Sequence, residues 1–292
     1  MRNRVANAIF ELAKKDKSVF LIAGDAGLGV WDEYQASLKE QFINPGINEA
    51  LCVGMAAGMA LAGLKPIYYN IAPFVIMRPY EQVRNDLCYQ ELPVILIGTG
   101  AGLTYAPSGM THYVVDDLGL CATLPNLEVY SPCSPLQALA CFQDALKNQT
   151  PSYIRIEKSG ERELFNELPN IHKLNYIKRD SDDLLIIAHG SIINETLDIP
   201  NISVASLAHI NSKDKSIFAD IKSFKKVFVL EEHFSSSGLG AIFKNNPELN
   251  GIKIQSIALK DEYIHKIGSR QYLRSLFKID NNAIKEYIEA HI

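Results

Sequence analysis

The chain alternates short apolar segments with amphipathic or polar ones, and this alternation restricts the folds available to it. SVFLIAGD at 18–25 is a short apolar run ending in Gly-Asp, as is typical of a buried parallel strand. A helix is predicted before it, over 2–15, because Val5, Ile9 and Leu12 fall on one helical face. Further strands are predicted at 66–71, 93–100, 127–130 and 152–156, and helices at 32–40, 78–91, 113–124 and 134–147. Such alternation predicts an α/β fold with a doubly wound parallel sheet.

The pattern lapses between Glu157 and Asp183, where charged residues, Asn, Pro and Ser indicate a linker. It then resumes, with a last helix predicted over 281–291 and strands predicted at 183–190, 202–207, 226–232 and 252–258. We therefore predict a first domain over 1–160, a linker over 161–182 and a smaller α/β domain over 183–292.

Composition excludes several classes of function. Apolar residues make up 47% of the chain and charged residues 21%, the ordinary profile of a globular protein with a buried core. A net charge of -4 argues against nucleic-acid binding. No apolar run reaches the ~18 residues needed to span a membrane, and the first residues do not form a secretory signal.

Cysteine and histidine usage bears on location and on metal binding. Five cysteines without a CxxC pair are expected to be reduced core thiols of a cytoplasmic protein. Seven scattered histidines without an HxxH pair predict no zinc site built by this chain.

The segment NPGINEALCVGMAAGMALAG at 44–63 predicts a helix that packs closely against its neighbours. Asn48 is a favourable N-cap residue, and the many Ala and Gly residues leave little bulk on the helix surface. Glu49 is the one charged residue of the segment. By itself this acid can be explained by the helix dipole, a contribution of under about 1 kcal/mol.

A glycine-rich segment, GTGAG at 98–102, follows a predicted strand and raises the possibility of dinucleotide binding. The spacing is GxGxG instead of GxGxxG, no helix is predicted to follow, and no acid lies about 20 residues further on at a strand end. We therefore do not predict nucleotide binding at this loop.

Several motifs together resemble the pyrimidine-binding domain of transketolases, and the second half is similar to the transketolase C-terminal domain. The resemblance covers about residues 2–260, in the order found in that family. The motifs of the first half are GINEA at 46–50, GMAAG at 54–58, RPYEQVRN at 78–85, GTGAGLT at 98–104 and GMTH at 109–112. Those of the second half are Gly190-Ser191, VLEEH at 229–233 and Gly238-Leu239-Gly240.

This resemblance implies an enzyme that moves a two-carbon ketol unit from a ketose donor to an aldose acceptor. Full transketolases also have an N-terminal domain that holds thiamine diphosphate through Mg²⁺, and we find no counterpart of it in these 292 residues. The resemblance therefore implies a separate N-terminal transketolase subunit as partner. We expect an α2β2 hetero-oligomer with sites at subunit interfaces, and no activity from this chain alone.

The resemblance also assigns residues to the cofactor. Glu49 is expected to hydrogen-bond the aminopyrimidine ring, with burial among apolar side chains raising its pKa. Phe74 is expected to pack on the pyrimidine, with Asp25 and Tyr80 nearby. The last three residues also have structural explanations that need no ligand. Phe74 and Tyr80 can be core residues, and Asp25 can be a turn former at a strand end.

Substrate contacts are assigned in the same way to His112, Arg2, Ser108 and Lys158. His112 matches a histidine that contacts the donor sugar, although a histidine bonded locally within its loop is the alternative. Arg2 matches one of two arginines that hold the acceptor's phosphate, and Ser108 stands where many members have an aspartate. We expect sugar or sugar-phosphate substrates.

Three departures from the family pattern bear on those substrates. Lys158 replaces the second arginine, Gly100 replaces a histidine, and the place of a serine near Gly29 has no hydroxyl. Lysine cannot make the bidentate phosphate contact of arginine. Each lost charged hydrogen bond removes roughly 1.5–3 kcal/mol of phosphate affinity. We therefore predict substrates other than the usual pentose-phosphate pair, either unphosphorylated or belonging to a specialised carbohydrate pathway.

Two other functions remain open from the sequence. The β subunit of a 2-oxoacid dehydrogenase shares both domains, although the Thr-His of the GMTH loop and the YEQVRN segment favour transketolase. A non-catalytic α/β partner subunit, in which Glu49 is structural, would also account for the small-residue helix.

Overall fold

The structure, a computed structural model, describes residues 1–27, 29–158 and 160–291, and this part of the chain forms two β-sheets. The first sheet is parallel throughout, so the carboxyl ends of its strands share one edge. Its strands are β1 (Val19–Ala23), β2 (Phe42–Ile43), β3 (Lys65–Ile71), β4 (Ile95–Thr99), β5 (Glu128–Tyr130) and β6 (Ser152–Ile156). They lie in the order β2-β1-β3-β4-β6-β5.

Helices cover both faces of this sheet. They are α1 (Arg2–Lys15), α2 (Asp32–Ser37), α3 (Glu49–Leu61), α4 (Ala72–Ile76), α5 (Tyr80–Gln82), α6 (Asp117–Cys121) and α7 (Pro135–Ala145). α1 and α7 pack on one face, and α3 and α6 pack on the other. The doubly wound architecture predicted from the sequence is confirmed, and it explains why β4 and β6 are buried along their whole length.

The second sheet has five strands and is parallel except at one edge. Its strands are β7 (Asn175–Arg179), β8 (Leu184–Ala188), β9 (Ser203–Ser206), β10 (Lys226–Phe234) and β11 (Ile254–Leu259), in the order β11-β10-β8-β9-β7. β7 runs antiparallel to β9. The helices of this half are α8 (Lys215–Lys222), α9 (Leu239–Lys244), α10 (Arg270–Leu276) and α11 (Asn281–Glu289).

Three predicted segments differ from the structure. The helix predicted over 78–91 is interrupted, because α5 passes into a π-helical turn at Val83–Cys88. The helix predicted over 113–124 shortens to α6, because Val114 pairs with the glycine-rich loop and its amide donates to the Gly102 carbonyl at 3.1 Å. The linker predicted over 161–182 contains β7, an edge strand whose residues are mostly half-buried. The domain limits themselves remain predictions.

The two halves share one apolar core. Leu118 and Leu124, from the first half, belong to the same cluster of buried side chains as Leu185 and Val229 of the second sheet. The segment 208–210, after β9, also bonds along the free edge of β5: the Ser131 amide donates to the Ala208 carbonyl at 2.7 Å. Core packing and backbone hydrogen bonds therefore both join the two sheets.

All five cysteines are buried and free, which confirms the expectation of core thiols. Across residues 1–27, 29–158 and 160–291, no helix is both long and apolar enough to cross a membrane.

A buried network of ions spans the contact between the two halves. Arg270 donates to Glu157, just after β6, at 2.9 Å and to Glu232 of β10 at 2.9 Å. Arg274 donates to the same Glu232 at 2.6 Å and to Glu195 at 2.8 Å. Burial acts to raise the pKa of Glu157 and of Glu232, but the adjacent guanidinium groups outweigh it and hold both pKa values below their usual range.

Replacing Arg270 with Met is expected to lower the free energy of unfolding by about 3–5 kcal/mol, because two buried carboxylates lose their partner. Urea denaturation measures this loss. Lys225→Met is the matched control, since Lys225 pairs with Asp183 at the exposed surface and its loss should cost far less. Equal destabilisation by the two substitutions would contradict the role given to Arg270.

Lowering the pH should weaken the same contact between the two halves. Because the folded-state pKa values of Glu157 and Glu232 lie below the reference value of 4.5, their stabilisation is present above about pH 4.5. It is lost as the pH falls further, toward the folded-state values. In denaturation at stepwise lower pH, Glu157→Gln should show a shallower loss of stability than the unmodified chain. Exposed Glu81→Gln should keep the original slope, and an unchanged slope in Glu157→Gln would refute this account.

Candidate active site

Four of the predicted site residues, Glu49, Phe74, His112 and Lys158, lie at the carboxyl edge of the first sheet, where ligands bind in open α/β sheets. Glu49 is the first residue of α3, and the Asn48 side chain caps that helix by accepting from the Leu51 amide at 3.2 Å. The loop before α3 lies against the end of β1. A Cβ at Gly24 would stand 3.0 Å from the Gly46 carbonyl oxygen, so a small residue is needed at position 24.

Glu49 is largely buried, with 8% of its surface exposed, and it is not isolated. Its Oε1 accepts a hydrogen bond from Nη1 of Arg78 at 2.7 Å. No other hydrogen bond reaches this carboxylate within the described part of the chain, so Oε2 is free for a ligand. The sequence analysis placed Glu49 among apolar side chains and did not foresee the ion pair.

From Arg78, a row of side chains runs along the edge of the sheet. The Arg78 guanidinium lies 4.0 Å from the centroid of the Phe74 ring, and Phe74 lies 5.6 Å from the His112 ring. His112 is in turn 6.5 Å from the Tyr105 ring, over which Lys158 Nζ sits at 5.4 Å. The structure therefore connects Glu49, Phe74, His112 and Lys158 through successive contacts, and we call Arg78, Phe74, His112, Tyr105 and Lys158 the site row.

His112 is half-buried in a loop that both halves of the protein support. Its Nδ1 is 2.8 Å from the hydroxyl of Thr111. Gly109, with φ of +77°, begins the turn, and the Ile267 side chain of the second half reaches that glycine. The Tyr113 hydroxyl donates to the Ile264 carbonyl at 3.3 Å. With no hydrogen bond to another described residue, Nε2 of His112 is available to a ligand.

A second group of polar side chains surrounds Arg2, at the start of α1. Burial raises the pKa of Tyr69 to about 12. The neighbouring Thr99 and Arg2 side chains act in the opposite direction and lower this pKa. Burial also raises the pKa of Tyr105, again against Arg2 and Thr99. The Tyr105 ring fills the space where a side chain at Gly100 would project. Arg2 therefore lies close enough to the Tyr105 end of the site row for its charge to act on both tyrosines.

Asp25, Tyr80 and Ser108 stand apart from the site row. Asp25 follows β1 and is exposed, and its carboxylate makes no hydrogen bond or ion pair with any described residue. Tyr80 bonds Thr123 at 2.5 Å between hydroxyl oxygens and packs partly against the core, in line with its plainer explanation. Ser108 is exposed in a turn over 106–108. Their roles at a ligand remain predictions.

Two members of the site row were not identified from the sequence. Arg78 lies four residues after Phe74, in the turn that follows α4, so its contact with the ring is local in sequence. No signal in the local sequence indicated the position of Tyr105, because its approach to Gly100 depends on the path of an irregular loop.

The donor set fits one end of the expected cofactor. A carboxylate with a free oxygen beside a phenyl ring suits an aminopyrimidine, which combines a hydrogen-bonding ring nitrogen with an aromatic face. A metal-bound diphosphate needs different ligands. Among the residues that the structure describes, no group of three or more His, Cys, Asp or Glu side chains could hold a metal ion.

Comparisons with known proteins identify the family of the chain. Residues 1–162 match the family described as transketolase, pyrimidine binding domain. The chain is 30% identical to one of the subunits of the apulose-4-phosphate transketolase of Actinobacillus succinogenes, covering 84% of this chain and 83% of that one. It is 31% identical to 1-deoxy-D-xylulose-5-phosphate synthase of Halothermothrix orenii, covering 94% of this chain but 45% of the synthase.

A solved structure shows the same fold over nearly the whole length. The chain superposes on a split gene transketolase, solved as an inactive β4 tetramer, with a TM-score of 0.87 and 24% identity. The match covers 99% of this chain and 97% of that one. The matched family spans more than half of the chain, and the chain therefore belongs to the transketolase family, with the extent and fold of the C-terminal section of a split transketolase.

Proposed function

We propose that this chain is the C-terminal subunit of a split, thiamine diphosphate-dependent transketolase that moves a two-carbon ketol unit from a ketose to an aldose. The observation that carries the proposal is the placement of Glu49 at the start of α3, linked through Arg78 to Phe74 and His112. The similarity to a single subunit of apulose-4-phosphate transketolase, over most of the length of both chains, supports it.

The site is completed, on this proposal, by a separate N-terminal transketolase subunit that holds the cofactor's diphosphate through Mg²⁺. Apolar side chains around Glu49 support such a partner: Ile47 is 73% exposed and Leu51 is 48% exposed. Exposed apolar surface beside a functional group is typical of an interface. We propose an α2β2 complex and, because the five cysteines are free thiols, a cytoplasmic location.

Thiamine diphosphate, when bound, supplies the carbon centre that carries the two-carbon unit between sugars. Glu49 would use Oε2 to share a proton with the pyrimidine nitrogen, and Phe74 would pack on the pyrimidine face. Arg78 would keep the carboxylate oriented through Oε1. Asp25 and Tyr80 are the further residues that we assign to the cofactor's surroundings.

Substrate binding is assigned to the other end of the site row. His112 would bind a hydroxyl of the donor sugar through Nε2, since Thr111 occupies Nδ1. Arg2, Ser108 and Lys158 would hold the more distant end of the sugar. Because Lys158 is a single point charge where the family pattern has an arginine, we propose sugars from a specialised carbohydrate pathway.

A 2-oxoacid dehydrogenase β subunit and a non-catalytic partner are the competing functions. The Thr-His of the GMTH loop and the YEQVRN segment favour the transketolase over both. Turnover of 2-oxoacids with an artificial electron acceptor, in place of ketol transfer, would identify the dehydrogenase. Absence of thiamine diphosphate binding by the assembled complex would identify the non-catalytic subunit.

Glu49→Gln is expected to lower the turnover of the assembled complex by at least about 100-fold, because glutamine cannot exchange the proton. Steady-state ketol transfer measures the loss, and circular dichroism checks that the fold is retained. Glu81→Gln, at an exposed position near the site, is the control and should keep full activity. A Glu49→Gln enzyme with most of its activity would refute the assignment.

Leu51→Asp is expected to prevent assembly with the N-terminal subunit, because a charge would replace an apolar side chain at the proposed interface. Co-purification of the two co-expressed subunits, followed by size-exclusion chromatography, measures assembly. The control is Glu81→Lys, which reverses the charge of an exposed side chain that is not part of the apolar surface around Glu49. Normal assembly of the Leu51→Asp chain would show that α3 does not face the partner.

A further inference from the structure

We propose that His172 and His209 form a proton-dependent contact between the two halves, which is complete only while their imidazole rings share one extra proton. We call these two residues the histidine pair. His172 lies between β6 and β7, and His209 belongs to the segment 208–210 that follows β9. The inference does not depend on the proposed function. Glu128, which His209 contacts, begins β5 at the edge of the first sheet opposite to the site row.

A carboxylate holds each ring of the histidine pair through its Nε2 atom. Nε2 of His209 lies 2.6 Å from Glu128 Oε2, and this hydrogen bond lowers the pKa of Glu128. Nε2 of His172 lies 3.0 Å from Asp144 Oδ1. The same Asp144 carboxylate accepts a hydrogen bond from the Tyr130 hydroxyl at 2.8 Å. Because an ionised carboxylate can only accept hydrogen bonds, both Nε2 atoms must carry a proton.

The other two ring nitrogens of the histidine pair face each other. Nδ1 of His172 and Nδ1 of His209 are 3.2 Å apart, which is a hydrogen-bonding distance. Since both Nε2 atoms are protonated, two neutral rings would point a lone pair at one another here. One added proton removes this repulsion, because the Nδ1–H of one ring then donates to Nδ1 of the other. The four ring nitrogens therefore hold three protons, and the histidine pair carries one positive charge.

The groups around the histidine pair favour this positive charge. The Tyr130 ring stacks on His209 at 4.7 Å between ring centroids, an arrangement that stabilises a cation. Three carboxylates and two ammonium groups, on β5, on α7, beside His172 and at the start of α8, act on the cluster: Glu128, Asp144, Asp214, Lys173 and Lys213. With the shared proton the positive and negative charges balance, whereas without it the carboxylates are in excess.

The contact depends on pH because imidazole side chains exchange protons near neutrality. Both rings line a cavity of about 480 Å³, and His172 is half-buried, so solvent reaches the histidine pair. In the unfolded chain two separate imidazoles are mostly neutral above about pH 6.5, so folding takes up a proton at neutral pH. A folded state that binds more protons than the unfolded state loses stability as the pH rises. We therefore expect the contact between the halves to weaken between about pH 7 and about pH 9.

A double-mutant cycle on the full chain isolates this contact. His172→Gln, His209→Gln and the double variant are compared with the unmodified chain by urea denaturation at pH 6.5 and at pH 9. We expect the coupling of the two histidines to change the unfolding equilibrium constant about tenfold at pH 6.5 and about twofold or less at pH 9. His265→Gln combined with His209→Gln is the matched control, because His265 is exposed outside this cluster, and should show no coupling at either pH.

Nitrogen NMR of the unmodified chain with isotope-labelled histidine rings counts the protons directly, and it does not depend on how well the variants fold. At pH 6.5 the histidine pair should show a proton on each Nε2 atom and a third proton on the facing Nδ1 atoms. The third proton should be lost at pH 9. The inference is overturned by unprotonated Nδ1 atoms on both rings at pH 6.5, or by a coupling that is absent at pH 6.5 or equal at the two pH values.

Discussion

The parallel order of the first sheet is the constraint on which the site depends. Because all six strands point the same way, the loops that follow β1, β3, β4 and β6 emerge at one edge. The segments after β3, β4 and β6 bring together Phe74, His112 and Lys158, although more than 80 residues separate the first from the last. A single antiparallel strand among them would send its loop to the opposite edge.

Paired charges have two different roles in this molecule. At the contact between the two halves, Arg270 bonds both Glu157 and Glu232, so these buried acids are committed to holding the sheets together. At the site, Arg78 occupies one oxygen of Glu49 and leaves the other free. A fully paired acid is structural, whereas a half-paired acid at a helix start keeps a hydrogen-bonding position for a ligand.

The parts of the fold that depend on interactions between neighbouring residues were predicted from the sequence. The strands predicted at 93–100 and 152–156, and the Asn48 cap of α3, depend on neighbouring residues and were found where expected. The shortening of the helix predicted over 113–124 depends on Val114 pairing with a loop a dozen residues earlier, which no local pattern reveals. Within the site, Glu49 and Phe74 were identified through a family resemblance, but the contacts made by Arg78 and Tyr105 required the fold.

The segment 208–210 has a consequence for the integrity of the first half. β5 is the outer strand of its sheet, and the backbone of this segment occupies hydrogen-bonding groups that would otherwise be open along it. Open strand edges recruit other chains and promote aggregation. The second half therefore covers this strand edge, and its loss would uncover both an apolar face and a strand edge of the first half.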